Sequence, residues 1–167
     1  MAGSPVVAVD RLWCAHDYRF VLRDVTFDVH EGEIAVIVGV NGVGKSTLLA
    51  TMAGALSSVR GQVRVFGHPR RTNVDSEREA RRLTAWLPDA AWLPGAMQVT
   101  EYLGASAALF DIPPGVAIER IESLLDLFSL SAARSQSLDS LSTGQKKKVG
   151  LCSALLSERK LLLRFCF

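Results

Sequence analysis

Gly39-Val40-Asn41-Gly42-Val43-Gly44-Lys45-Ser46-Thr47 is the stretch whose reading decides the fold. It fits G-x-x-x-x-G-K-[ST], the phosphate-binding loop. The run before it, Ile34-Ala35-Val36-Ile37-Val38, is apolar on both faces, as a central strand of a parallel sheet should be. The stretch after it, Thr47-Leu48-Leu49-Ala50-Thr51-Met52-Ala53, is helix-like, and a helix is expected from about Ser46 to Ala55. A glycine-rich turn with no ligand is the plainer alternative, but the flanking strand and helix are the context a phosphate loop needs. Glycines let successive backbone N–H groups turn inward to form a concave anion site, and the helix adds its positive dipole end. The candidate contacts are Gly39, Asn41, Gly42, Val43, Gly44, Lys45, Ser46 and Thr47. Lys45 is placed to reach the β- and γ-phosphates of a nucleotide, and the Ser46 hydroxyl to ligate Mg²⁺.

The chain has 167 residues, the size of one domain, and 49% hydrophobic residues, enough for a core. Its net charge of +2 is too small to argue for nucleic acid or an anionic membrane surface. No apolar stretch approaches a membrane span, and Met1-Ala2-Gly3-Ser4-Pro5 does not read as a secretory signal. Cys14, Cys152 and Cys166 are widely separated, without metal-ligand spacing, and read as reduced thiols.

Around the loop, Val6 to Trp13 and Val25 to Val29 alternate as strands, and so does Gln62 to Phe66. Ser76 to Arg82 is a short polar helix, and Leu83 to Leu87 a strand that stops at Pro88. Beyond Pro88 the spacing turns helical. One helix opens at Val99 and breaks at Pro113-Pro114, and a second carries its apolar face on Ile118, Ile121, Leu124, Leu125 and Phe128. A last helix runs from about Gly144 to Ser157, with Val149, Cys152 and Leu156 on one face, before Leu161-Leu162-Leu163 starts a strand. The expected organisation is one domain over 1–167: a β-subdomain and phosphate-loop core over 1–88, a helical insertion over 89–140, and a helix and strand over 141–167.

Leu141-Ser142-Thr143-Gly144-Gln145 sits just before that last helix, where Ser142 and Gly144 can offer a hydroxyl and backbone N–H groups to a phosphate. Alone it reads as an ordinary helix cap. Downstream of a phosphate loop and a helical insertion, the segment resembles the signature motif of ABC (ATP-binding cassette) transporter nucleotide-binding domains, with Thr143 where Gly is more usual. Leu22 to Ile34, Leu48 to Gly54 and Gly61 to Gly67 also resemble the segments that flank the family's loop. The resemblance implies an α/β fold of the P-loop NTPase (ABC) type, with an N-terminal antiparallel β-subdomain and an inserted helical subdomain; in the chain as given, the parallel sheet is expected to be truncated after the Walker B strand. It implies a cytoplasmic ATP-binding subunit that takes ATP and Mg²⁺. Two such domains would close head to tail, Ser142, Gly144 and Gln145 covering the partner's ATP, and drive separate transmembrane subunits.

Several positions depart from the family pattern. Where an aromatic residue stacks on adenine, His16 stands, with Tyr18 close by, and either ring could stack. Where the family has a Gln near Mg²⁺, this chain has Asp89, which could contact the ion through water or simply cap the next turn. After Leu161-Leu162-Leu163 the family continues to an Asp and a Glu, one orienting the Mg²⁺ shell and the other activating water. The aligned residues here are Phe165 and Cys166, so no catalytic residue is assigned. Lys146-Lys147-Lys148 reads as a solvated helix face, and nucleic acid is not expected as a partner. The alternatives to a transporter subunit are a non-hydrolytic nucleotide-binding or regulatory module, and a soluble ABC-type ATPase.

Overall fold

The computed structural model describes residues 4–16, 19–88 and 93–164, of His16 the backbone only. Its residues cluster into two compact units, Met1–Trp86 with Lys160–Phe167, and Leu87–Arg159.

The first unit is built on alternation. Strand β1 (Val7–His16) pairs antiparallel with β2 (Arg19–Val29) on one side and with β3 (Arg60–Val65) on the other. A short β4 (His68–Pro69) completes the order β2-β1-β3-β4. Val7 stands opposite Val29 and Val65, and Val9 opposite Phe27 and Val63, so one face of the sheet is apolar. Both long strands then change parity. In β1 the buried series runs Val7, Val9, then Leu12, Cys14; in β2 it runs Leu22, then Val29. The change falls at Arg11 and Asp24, both with left-handed φ (41° and 52°), where the ladder register shifts. One extra residue per strand lets both halves keep their apolar side chains inward. The sequence expects strands at 6–13 and 25–29; the bulges mask their continuation into one long hairpin.

Helix α1 (Lys45–Met52) follows the loop and buries Leu48 and Met52 in the core of that sheet. Each fully buried side chain of this size contributes about 1.5–3 kcal/mol. The expected helix reaches Ala55; it stops sooner because Gly54 adopts φ +77°, a left-handed C-terminal cap. Helix α2 (Val74–Leu83) is held differently: Asn73 Oδ1 accepts from the Ser76 N–H at 2.8 Å, and Arg81 and Arg82 sit in the last turn, favourable to the dipole. Strands β5 (Thr84–Leu87) and β6 (Leu161–Arg164) form a small parallel sheet, with Leu163 buried in the same core.

One expected element does not form. Residues 34–38 belong to no sheet among the described residues, and Ile34, Val36 and Val38 are 92, 76 and 85% exposed. Only Ile37 packs, partly buried, on the core. A segment apolar on both faces is buried as a central strand where strands pair with its edges and helices cover its faces, and this one pairs with no described strand.

The second unit is helical. Gln98 donates its N–H to Glu101 Oε2 at 3.2 Å at the start of α3 (Val99–Leu109), and Pro114 occupies the first turn of α4 (Pro114–Leu127), where its missing N–H costs nothing. With α5 (Thr143–Leu156) they close a core around Leu103, Leu125, Leu138, Val149 and Leu156. The face expected on α4 is corrected at one place: Ala117, Ile121 and Leu125 form the buried seam, and Ile118, one residue off it, is 63% exposed. The chain entering α5 is tied to the chain entering α3: Leu138 N–H donates to Met97 O at 2.9 Å and Asp139 N–H to Gly95 O at 3.0 Å.

Glu77 on α2 accepts from Arg81 Nε at 2.7 Å, from Arg70 Nη1 at 3.3 Å and from the Arg71 N–H at 2.9 Å. Burial pushes its carboxyl up, but the hydrogen bonds from Arg81 and Arg71 and the charges of Arg70 and Arg81 outweigh that and hold it below the usual range. A depressed carboxylate stabilises the fold above its ordinary pKa of about 4.3 and loses that contribution as pH falls through the folded value. Glu77→Gln is therefore expected to flatten the acid side of the stability curve below about pH 5, read by denaturant unfolding. An acid limb identical to the parent's would assign the acid sensitivity to other carboxylates.

Candidate functional site

The loop from Gly39 to Thr47 leads into α1 through Gly44, at φ +103° and fully packed. A Cβ on Gly44 would lie 2.8 Å from Val21 Cγ1 and from Leu22 Cδ2, so the loop rests against β2 with no room for a side chain. Gly44 is the N-cap residue of α1 and has no side chain to cap with, and the first turn holds no acidic residue. The first-turn N–H groups of a helix have no acceptor within the helix, and their pole is positive. Here nothing in the first turn neutralises it. Lys45 Nζ donates to Gly39 O at 2.7 Å and to Val40 O at 2.8 Å. The ammonium is thus held over the loop by the loop's own carbonyls. Ser46 is exposed at the second helical position, and Thr47, half-buried, accepts at its carbonyl from Thr51 Oγ1 at 2.8 Å.

These features fit an anion with several oxygens. A cradle that excludes a Cβ, an uncapped helix start and a fixed ammonium converge on one loop. For a metal the fit is thinner. Ser46 is the described candidate, Asp89 lies outside the described residues, and no group of three metal-binding side chains occurs among the described residues. Of the two rings expected at a base, the His16 backbone pairs with Arg19 at the end of β1, its side chain is not described, and Tyr18 lies outside the described residues.

The Leu141–Gln145 segment forms the start of α5. Ser142 Oγ accepts from the Gln145 N–H at 3.2 Å, and Gln145 Oε1 accepts from the Ser142 N–H at 2.9 Å, a reciprocal capping box. Ser142 and Gly144 are exposed, and a Cβ added at Gly144 would meet open space. The cap uses the Ser142 oxygen as an acceptor, which still allows its hydroxyl proton to be donated elsewhere. Of the three lysines that follow, Lys148 donates to Phe128 O at 2.9 Å and so closes the end of α4. That role has no signal in the sequence, because it depends on how α4 and α5 pack.

Comparison with known proteins follows this geometry. A family model described as ABC transporter matches residues 22–164. The cholesterol transporter ABCA5 of Rattus norvegicus is 32% identical over 142 residues, 85% of this chain and 9% of that protein. The ABC transporter ATP-binding protein YxlF of Bacillus subtilis (strain 168) is 28% identical over 158 residues, 95% of this chain and 51% of that one. A solved ATP binding subunit of an ABC transporter superposes with a TM-score of 0.83 at 29% identity, over 94% of this chain and 64% of its own. The structure of cbiO1 from Clostridium perfringens, part of the ABC transporter complex cbiONQ, gives 0.79 over 96% of this chain and 64% of its own. At 23% identity it speaks for the fold alone. The chain thus spans about half, or far less, of these curated relatives.

The packing at Gly44 makes a comparison within one loop informative. Gly42 is also left-handed (φ +82°), but a Cβ there meets nothing within 4 Å. Gly42→Ala is expected to cost about 1 kcal/mol from the backbone alone, and Gly44→Ala about 2–3 kcal/mol because Val21 and Leu22 must also move. Denaturant unfolding of the two variants measures the difference. Equal losses would mean that the contact with β2 does not constrain the loop.

Proposed function

This chain belongs to the ABC transporter family, and we propose that it is an ATP-binding subunit. It takes Mg–ATP at the phosphate loop, and two such domains close head to tail to power transport by separate membrane subunits. The observation that carries the reading is Lys45 held by Gly39 O and Val40 O over an α1 N-terminus that no side chain caps. The γ- and β-phosphates are the groups such a site neutralises best, since their oxygens meet an ammonium and several N–H donors at once. His16 or Tyr18 contacts the adenine. Ser46, through its hydroxyl, and Asp89 are the residues that would hold Mg²⁺, which would supply positive charge to the phosphate oxygens. Ser142, Gly144 and Gln145 serve the ATP of the second domain, the Ser142 hydroxyl donating to its γ-phosphate. The subunit works at the cytoplasmic face, held to the membrane by its partners; no helix among the described residues is long and apolar enough to cross a membrane.

Lys45→Ala tests the loop. Calorimetric titration with Mg–ATP is expected to show affinity falling about 30-fold or more, the usual effect of removing one partner of a desolvated charge pair. Equal binding by parent and variant would overturn the assignment of this loop.

Phe165 and Cys166 stand where the family's carboxylates are expected, and neither side chain can act as an ordinary carboxylate base. A positioned general base is worth about 10²–10⁴ in rate, so the chain on its own is expected to bind ATP with turnover lower by at least that factor than a cassette carrying those carboxylates. Phosphate release by the purified chain, with Lys45→Ala as the blank, decides it. Robust turnover that Lys45→Ala abolishes would require another base, with Asp89 the first to test.

Ser142→Arg tests the signature segment. With a complete cassette as partner, ATP-dependent association is expected to weaken, because an arginine replaces the hydroxyl offered to the partner's phosphate. Association unchanged by the substitution, followed by light scattering, would return Leu141–Gln145 to the role of a helix cap.

A further inference from the structure

Among the described residues, Arg70 is the buried charged residue that the phosphate loop's chemistry does not use. Its side chain is 3% exposed, and each of its nitrogens has an acceptor. Nε donates to Met52 O at 2.9 Å, Nη1 to Glu77 Oε1 at 3.3 Å, and Nη2 to Thr84 Oγ1 at 3.4 Å. A buried guanidinium is tolerated only when paired and fully hydrogen-bonded, and this one joins α1, α2 and the start of β5.

The bond to Met52 fills a specific gap. The last carbonyls of a helix lack partners within it. At the end of α1, Leu49 O accepts from the Ala53 N–H, Ala50 O from the Ala55 N–H, and Thr51 O from the Gly54 N–H. Met52 O is left, and Arg70 takes it. Next along the chain, Gly54 O accepts from Arg71 Nη1 at 3.1 Å. The last turn of α1 carries no basic residue of its own. Two arginines from the turn after β4 therefore supply the positive charge that the negative end of this helix favours. Glu77 balances them, bonded to the side chain of Arg70 and the backbone N–H of Arg71. The approach is close: a Cβ on Gly54 would lie 2.6 Å from Glu77 Oε1.

Helix α1 has 8 residues, about 12 Å of rigid rod. Its N-terminal end carries Lys45 and the amides that face the anion. Its C-terminal end is held by Arg70 and Arg71. We propose that Arg70, assisted by Arg71, is a positioning residue for the phosphate loop: it fixes the far end of α1 and so sets the direction in which the near end presents its donors to phosphate. The proposal rests on the reading of that loop as the ATP site. Arg70 touches no ligand and acts through α1.

Calorimetric titration of the full chain separates positioning from simple stapling of the fold. The probes are Mg–ATP and inorganic tripolyphosphate, which shares with ATP only the phosphates. The variants are Arg70→Lys, which keeps the charge and loses the fork, and Arg71→Gln, which leaves the buried charge in place. Arg64→Gln on the exposed side of β3 is the control for charge alone. Stoichiometry reports the folded fraction, and the dissociation constant reports the loop. Arg70→Lys is expected to weaken both probes by the same factor, about tenfold, at unchanged stoichiometry, with Arg71→Gln weakening both by less and Arg64→Gln leaving both at the parent value. A lowered melting temperature or stoichiometry with unchanged dissociation constants would reduce Arg70 to a structural staple and overturn the proposal. Should Arg70→Lys fail to fold, Arg71→Gln carries the test: unchanged affinity for both probes overturns the proposal. A parent chain that binds neither probe would overturn the ATP reading itself, an outcome distinct from a parent that binds and variants that bind equally well.

Discussion

The contact of Gly44 with Val21 and Leu22 is the constraint from which the rest of the site follows. It leaves no space for a Cβ, forces a left-handed turn, and starts α1 at Lys45 against the antiparallel sheet. A helix begun by glycine has no side-chain cap, so its first amides stay available to an anion. The same turn brings the Lys45 ammonium back over Gly39 and Val40. Loop shape, helix start and lysine position are thus one packing solution, and the sheet beneath must be in place for it to hold.

The sheet achieves this by breaking its own periodicity. The left-handed residues Arg11 and Asp24 shift the register where the apolar series changes parity, and both halves of the hairpin keep their buried residues on the side of α1. At the opposite end of α1, the orphan carbonyl of Met52 falls to Arg70, whose charge is compensated by Glu77. The short helix is therefore determined at both ends by residues distant in sequence. Its own sequence supplies no charged cap at either end.

Much of this was legible in the residues. The glycine-rich loop motif, the alternating strands, the helix break at Pro113-Pro114 and the helical stretch beyond Pro88 rest on local rules of spacing and backbone conformation. The signature segment was legible as a helix start, and its capping box has the spacing that serine and glutamine three residues apart predict. Residues 34–38 show where local reading fails. Two-sided apolarity announces a strand meant for the middle of a sheet, but a strand is a relation between segments, and no described strand pairs with this one. Ile118 makes the same point on a smaller scale: its spacing fits the apolar face of α4, and the packing of α3 and α5 selects the neighbouring seam instead.

The sequence by itself placed the glycine-rich motif and its lysine in one run, because that pattern lies within one short stretch of backbone and one side chain. It also determined the family, through motifs in a particular order along the chain. Only the tertiary structure decided that Gly44 must be glycine for its contact with β2, that Lys148 closes α4, and that Arg70 and Arg71 hold the end of α1. Each of these depends on a carbonyl or a methyl group brought close by packing between elements separated along the chain. A buried arginine and a solvated one are the same letter until the acceptors around it are known.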